Sequence, residues 1–201
     1  ITYPYLIRTV GANNYGLVIY ANSIITYFTI VINYGFNIFA VKYVSLFRSN
    51  KILLSKITST VLIIKFFLFI MCIVFFSLLL LSLNKLRMHS LLFSITFLTS
   101  ISEIVLPIWF FQGLEKMKYI TIIYFISSFF YFLTIFFIIK SPTDYIYIPI
   151  LKFLGILIAG IVSIIIMYKT YKIKFQFPSL NYIKTFFWGS TPFFFSSLAT
   201  I

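Results

Sequence analysis

The chain has 201 residues, of which 62% are hydrophobic, 22% aromatic and only 9% charged. So little charge cannot cover a soluble domain, and the apolar residues come in runs of about 20, the length of a helix that crosses a hydrocarbon core. The net charge of +13 is scattered between these runs, which excludes the compact basic patch of a nucleic-acid-binding domain. We therefore predict an all-α, polytopic transmembrane helix bundle.

The hydropathy pattern predicts five complete spans flanked by two partial ones. Residues 1–7 are expected to be the last turns of one helix, and another is expected to begin near Thr185. Because the chain opens with Ile1 rather than Met and stops at Ile201 in an apolar stretch, we expect it to be a fragment. The complete spans are predicted at about 15–41, 58–83, 90–111, 119–139 and 145–167.

Loop charges predict the orientation of these spans. The loops at 42–56, 112–118 and 168–184 hold ten basic residues, whereas the alternate loops at 8–14, 84–89 and 140–144 hold four. The positive-inside rule therefore places the first set in the cytoplasm. Trp109 precedes one of these loops and is predicted to be an anchor in the headgroup belt.

Three predicted spans carry polar side chains at helical spacing. Unpaired polar groups in lipid cost several kcal/mol, so each stripe is expected to face other helices or a wet cavity. The stripes are Asn22, Thr26, Thr29, Asn33 and Asn37; Thr96, Thr99, Ser100 and Glu103; and Tyr124, Ser127, Ser128, Tyr131 and Thr134.

Lys65 is the most deeply placed cation. It lies nine residues past Lys56, roughly 13 Å further along a helix, and so is close to mid-membrane if the helix enters at Lys56. One interpretation is a cation that lines a cavity for an anionic ligand. The other is a helix that enters near Thr60, from which the lysine snorkels to the surface.

Two further charges lie within predicted spans. Lys152 is eight residues from Asp144, so it either snorkels to the outer face or lines a cavity. Glu103 is expected to be neutral, paired with Lys65 or Lys152, or facing a cavity. Pro107 removes a helix donor and crowds the carbonyl of Glu103, so a kink is predicted beside the carboxylate.

The sequence offers little material for catalysis. It contains one His and three acidic residues. We find no nucleophile–base pair, metal cluster or phosphate-cradling glycine loop in its pattern. A protein that is not an enzyme is therefore predicted, with no metal.

Several segments carry a family resemblance that extends over essentially the whole chain. They are PYLIR at 4–8 with the following Gly11 and Tyr15-Gly16, YGFN at 34–37, residues 59–65, PIWFFQGLEKMK at 107–118 and residues 189–197. In these segments the chain resembles the bacterial polysaccharide repeat-unit flippases, the Wzx-type O-antigen transporter family, and the segment at 107–118 is the most specific match.

The resemblance implies a fold and a function. Such proteins belong to the multidrug/oligosaccharidyl-lipid/polysaccharide exporter superfamily, in which two six-helix lobes surround a central cavity. Residues 1–184 would form the N-terminal lobe, with helices two to six complete, and residues 185–201 would begin helix seven. The family flips undecaprenyl-pyrophosphate-linked oligosaccharides across the bacterial inner membrane by alternating access, with proton or sodium coupling and no cofactor. Other polysaccharide-assembly membrane proteins are expected partners.

The same resemblance bears on individual residues. Lys65 matches a basic position common in the family, whereas Asn33 stands where many members have an aspartate, so a carboxylate role there is not carried over. A pyrophosphate-bearing substrate needs cations in a polar cleft. We therefore predict Glu103 as the coupling residue, and as substrate-binding candidates Lys65, Asn33, Asn37, Lys152 and Arg8.

Two alternatives stay open. A drug or cation antiporter of the same fold would favour acidic residues in its cavity, and only Glu103 is available within the predicted spans. A membrane-embedded glycosyltransferase or polymerase would carry a large polar loop at the membrane surface, and none of the predicted loops is long.

Overall fold

The computed structural model describes residues 2–199, and this part of the chain folds into helices without a β-strand. Ile1 and Ile201, the outer limits of the two predicted lobes, lie outside the described residues. The helices are α1 Thr2–Val10, α2 Ala12–Asn33, α3 Phe36–Leu46, α4 Lys51–Ser82, α5 Asn84–Met88, α6 Ser90–Leu98, α7 Ser102–Val105, α8 Ile108–Gly113, α9 Met117–Ile138, α10 Tyr147–Lys169 and α11 Leu180–Leu198.

Five helical stretches within residues 2–199 are long and apolar enough to cross a membrane. This confirms the predicted multi-pass bundle with five complete spans. The boundary between lobes, placed at residue 184 from the sequence, stays a prediction, although the helix expected near Thr185 already begins at Leu180. The five stretches are Ala12–Leu46, Lys51–Ser82, Ser90–Gly113, Met117–Ile138 and Pro142–Lys169.

The first basic loop is shorter than predicted. The sequence pattern gave a loop at 42–56, but α3 continues to Leu46 and α4 already begins at Lys51. Asn50 caps α4, because its side-chain oxygen accepts hydrogen bonds from the backbone N–H groups of Ile52 and Leu53, both at 3.1 Å. The extra turns of α4 therefore form outside the apolar run.

The loops gather at two ends of the bundle, as the alternating spans require. At one end, Arg48 in the α3–α4 loop pairs with Glu115 after α8 at 2.9 Å. We call this the basic end, since it holds the more basic set of loops. At the opposite end, the Asn14 amide donates to the carbonyl of Pro142 at 2.9 Å, which joins the start of α2 to the turn before α10.

The chain packs around two apolar clusters, and the one nearer the basic end contains Trp109. This tryptophan is only 1% exposed, so the prediction that it anchors the protein in the headgroup belt is wrong. The physical reason is the close packing of α8 on α3: a Cβ placed on Gly113 would lie 2.6 Å from Cβ of Val44. Trp109 is thereby carried into the interior.

The span predicted as one helix at 15–41 is broken at Tyr34 and Gly35. Both residues are left-handed, with φ of 49° and 76°, and they separate α2 from α3. The Tyr34 ring stacks between two rings of α11, Phe187 at 4.5 Å and Phe194 at 4.8 Å between centroids. Packing of Tyr34 against α11 therefore stabilises the break.

Candidate functional site

The bundle holds an open polar cavity of about 350 Å³, which we call the Glu103 cavity; Asn37, Ser128 and Lys152 at its wall are exposed. Four parts of the fold contribute to its wall: α3, the segment from α7 to α8, α9 and α10. Hydroxyl, amide, carboxylate and ammonium groups all reach it. Its polar lining consists of Asn37, Ser102, Glu103, Tyr124, Ser127, Ser128, Tyr131 and Lys152.

A second polar cavity adjoins the first towards the opposite end. It has a volume of about 520 Å³ and lies between α1, α2, α9 and α10; we call it the Tyr15 cavity. Tyr131 and Lys152 line both cavities, so the two volumes meet at these side chains. Its other polar residues are Thr2, Tyr3, Tyr15, Asn22, Ser23 and Thr26.

The polar stripes predicted from the sequence have different outcomes. The α9 stripe is confirmed as a cavity wall, apart from Thr134, whose hydroxyl donates to the Phe130 carbonyl at 2.8 Å. In the α2–α3 stripe, Asn22 and Thr26 line the Tyr15 cavity and Asn37 lines the Glu103 cavity. The helix break explains why one stripe serves two cavities.

The stripe on α6 behaves otherwise. Thr96 and Ser100 are fully buried, and their hydroxyls donate to carbonyls of their own helix, those of Leu92 and Phe97, both at 2.7 Å. Such bonds satisfy the hydroxyl locally and leave no need for a wet cavity. Of this stripe, Glu103 alone reaches a polar cavity within the described residues.

Lys65 is buried and does not snorkel. Its side chain is 1% exposed, and its ammonium donates to the main-chain carbonyl of Glu103 at 3.0 Å and to the Glu103 carboxylate at 3.2 Å. The Glu103 side chain is 23% exposed and borders the cavity. Lys65 thus stands behind Glu103, and its direct contact with a substrate stays a prediction.

The predicted kink at Pro107 is confirmed. The helix is interrupted at Leu106 and Pro107, between α7 and α8. Proline has no N–H to give to the carbonyl four residues earlier, that of Glu103. The Lys65 ammonium donates to this carbonyl instead. The cation that pairs with the Glu103 carboxylate therefore also satisfies the carbonyl that the helix break leaves free.

Of the predicted cations, Lys152 alone lines the two polar cavities within the described residues. It lies near the start of α10 and is exposed to both cavities. Its ammonium donates to the side-chain oxygen of Asn22 at 3.3 Å, a long bond that leaves other donors of the ammonium free to bind an anion. Its role in substrate binding stays a prediction.

The three remaining candidates are spread over the bundle. The Asn33 side chain accepts from the backbone N–H of Asn37 at 3.2 Å, so it satisfies a donor in the first turn of α3. Asn37 lines the Glu103 cavity, but Asn33 does not. Arg8 is exposed at the end of α1 and lines neither polar cavity.

Two of the three tyrosines that line the Tyr15 cavity were not predicted from the sequence, whereas Tyr131 was. Tyr3 and Tyr15 come from different helices, and their rings meet edge to face at 6.2 Å. No periodicity links them, because α1 and α2 are separated by the turn at Gly11. Their hydroxyl-rich cavity can hydrogen-bond a sugar. Residues 2–199 hold no cluster of His, Cys, Asp and Glu that could bind a metal ion.

Fold and cavities together define a multi-pass membrane protein whose apolar bundle carries two open polar cavities, with the Lys152 ammonium where they meet. The chain belongs to the family described as "Polysaccharide biosynthesis protein", which it matches over residues 1–201.

Two curated relatives carry the name "Putative O-antigen transporter". The protein from Escherichia coli (strain K12) is 25% identical over 167 residues, which is 83% of this chain and 40% of the relative. That from Shigella dysenteriae is 28% identical over 203 residues, which is 100% of this chain and 50% of the relative. The chain thus spans half the length of these relatives or less. No solved structure matches it.

Proposed function

We propose that the chain is part of a transporter that flips undecaprenyl-pyrophosphate-linked oligosaccharide repeat units across the bacterial inner membrane, for O-antigen, capsule or exopolysaccharide assembly. The observation that carries the proposal is the pair of open polar cavities that meet at Tyr131 and Lys152 between the helices of an apolar bundle. The names of the two relatives support the same direction.

The chemistry of the cavities suits such a headgroup. Sugars present many hydroxyls, and the cavities offer tyrosine, serine and amide groups that donate and accept hydrogen bonds. A pyrophosphate needs a cation, and Lys152 supplies an ammonium with free donors. Glu103 is the coupling candidate: a proton or sodium ion on its carboxylate would weaken its hold on Lys65 and shift the α7–α8 break.

The proposal is tested in a strain that lacks its own repeat-unit flippase but makes the matching lipid-linked unit. The full-length gene is expressed, and surface polysaccharide and the pool of lipid-linked precursor are measured together. We expect restored surface polymer and a drained pool. A pool that stays full, with confirmed membrane expression and with the repeat unit encoded beside the gene, would contradict the proposal.

A second candidate is a drug or cation antiporter of the same superfamily. It is favoured by one observation, the Glu103 carboxylate at the cavity wall, where it could attract a cationic compound. Drug susceptibility of cells with and without the gene separates the two candidates. Lower susceptibility to cationic compounds, without any change in surface polymer, would favour the antiporter.

A further inference from the structure

A third cavity, lined mainly by apolar side chains, lies on the side of α7 opposite to the Glu103 cavity. It has a volume of about 360 Å³, at the lower end of the range of about 300–1,000 Å³ typical of ligand pockets. We call it the apolar groove. Side chains of α4 such as Phe66, and of α10 such as Ile164, form its walls, and both are well exposed, at 56% and 44%. Hydrocarbon therefore has access to it.

Only a short segment separates this groove from the Glu103 cavity. Glu103 and Leu106 line the polar cavity, whereas Ile104, Val105 and Pro107 line the groove. Because the helix is interrupted at Leu106 and Pro107, the wall here consists of α7 and these two non-helical residues. A ligand with a polar head and an apolar tail would find matching surfaces on the two sides of this wall.

The basic end of the groove is closed by the connection between α10 and α11. Ile173 and Phe175 line the groove, and the backbone N–H of Lys174 donates to Ser55 of α4 at 3.0 Å, which fixes the segment in place. Three exposed lysines lie in or beside this closing segment: Lys169, Lys172 and Lys174. Their charge complements an anionic phosphate at the mouth of an apolar groove.

We propose that the apolar groove binds the polyprenyl chain of the lipid-linked substrate at the basic end, where the pyrophosphate meets these three lysines before the headgroup reaches Lys152 between the two polar cavities. The inference rests on the proposed function and adds the place of the lipid tail. A pyrophosphate carries more charge than the single phosphate of most membrane lipids, so the lysine cluster favours it over bulk phospholipid. No basic residue among residues 2–199 lines the groove itself, but exposed lysines directly adjoin its lining residues Tyr168 and Ile173 in the chain. A second apolar pocket, between α2 and α4, has none of the described basic residues in its lining or next to it in the chain and is not part of the proposal.

The test places a photo-crosslinker at two neighbouring positions of α4 in the full-length protein. Phe66 lines the groove and Phe67 does not, although their exposures of 56% and 61% are alike. Phe66→benzoylphenylalanine and Phe67→benzoylphenylalanine are irradiated in membranes that contain a labelled undecaprenyl pyrophosphate. We expect the polyprenyl adduct at position 66 to exceed that at 67 by about tenfold, while phospholipid adducts are equal.

A second matched pair blocks the groove. Ile164→Trp fills it, whereas Ile165→Trp changes a neighbour of similar exposure outside it. We expect the first substitution, and not the second, to remove the polyprenyl adduct at position 66. Equal adducts at 66 and 67, or phospholipid alone at 66, would overturn the inference.

The probe carries no sugar, so this result is independent of transport. An adduct at 66 without restored export would support the groove and contradict the proposed function. Restored export without the adduct would support the proposed function and overturn the inference about the groove.

Discussion

The Lys65 ammonium contacts Glu103 twice, through the main-chain carbonyl at 3.0 Å and the carboxylate at 3.2 Å. The carbonyl is free because Pro107 cannot donate to it. One buried cation therefore compensates both a helix break and a charge at the wall of a polar cavity. The arrangement links α4 to the segment that separates the cavity from lipid.

The ion pair predicts an asymmetric effect on stability. Glu103→Gln leaves the Lys65 ammonium, 1% exposed, without its counter-charge, and removing one partner of a buried pair costs about 3 kcal/mol or more. We expect the purified full-length variant to melt well below wild type. The double variant Lys65→Met, Glu103→Gln should recover most of the loss, because no unpaired charge is left buried. A single variant that melts with wild type would contradict this account.

Pro107→Ala tests whether the helix break serves transport. The new N–H would compete with Lys65 for the Glu103 carbonyl, and the helix across α7 and α8 should straighten. We expect surface polysaccharide to fall while thermal stability is kept or raised, since a proline inside a helix costs about 3 kcal/mol.

Pro178→Ala is the control for this change. Pro178 lies outside the helices, between α10 and α11, where a new N–H completes no helix, so its substitution should leave export unchanged. Export at the wild-type level in Pro107→Ala would show that the break is dispensable.

The sequence could indicate the arrangement of Lys65, Glu103 and Pro107 because each of its signals is local. Apolar runs set the five spans, proline chemistry set the kink, and pairing with Lys65 was among the alternatives open for Glu103. The N-cap at Asn50 was also predictable from the sequence, since asparagine is favoured at that position. Taking Asn50 as the cap would have placed the start of α4 at Lys51.

Tertiary contacts decided the features that the sequence did not show. Trp109 has a side chain that is typical of an interface anchor, but the close packing of α8 on α3 buries it. The break at Tyr34 and Gly35 depends on rings of α11, more than 150 residues away. Tyr3 and Tyr15 meet in the Tyr15 cavity because α1 packs on α2, and a single sequence carries no signal for that packing.

The α3–α11 contact makes Gly35 intolerant of a side chain. A Cβ there would lie 2.7 Å from Cβ of Phe193 and 2.8 Å from the carbonyl oxygen of Ser190, and φ is +76°. We expect Gly35→Ala to lower the thermal midpoint and the amount of folded protein.

Gly16→Ala is the matched control within α2. Nothing lies within 4 Å of a Cβ at that position, and alanine favours a helix over glycine by about 1 kcal/mol. Its stability should be unchanged or higher. Equal behaviour of the two variants would mean that α11 does not pack on the break.

Lys152 is the cation predicted to meet the pyrophosphate. Lys152→Gln keeps a polar group, on a side chain one atom shorter, but removes the charge, and a hydrogen bond to a charged group contributes about 1.5–3 kcal/mol, or tenfold and more in affinity. We expect less surface polymer and a fuller precursor pool at equal protein level.

Lys140→Gln removes an exposed charge from the same end of the bundle, outside both polar cavities, and should behave as wild type. Equal losses in the two variants would assign the effect to general surface charge.

The most direct test of the account reconstitutes purified full-length protein into vesicles with a fluorescent lipid-linked oligosaccharide. Accessibility of the fluorophore to a membrane-impermeant quencher is followed with and without proton and sodium gradients. The account predicts that wild-type protein exposes the inner-leaflet fraction faster than protein-free vesicles do, and that Lys152→Gln slows this step. Wild-type vesicles that match protein-free vesicles under every gradient would contradict it.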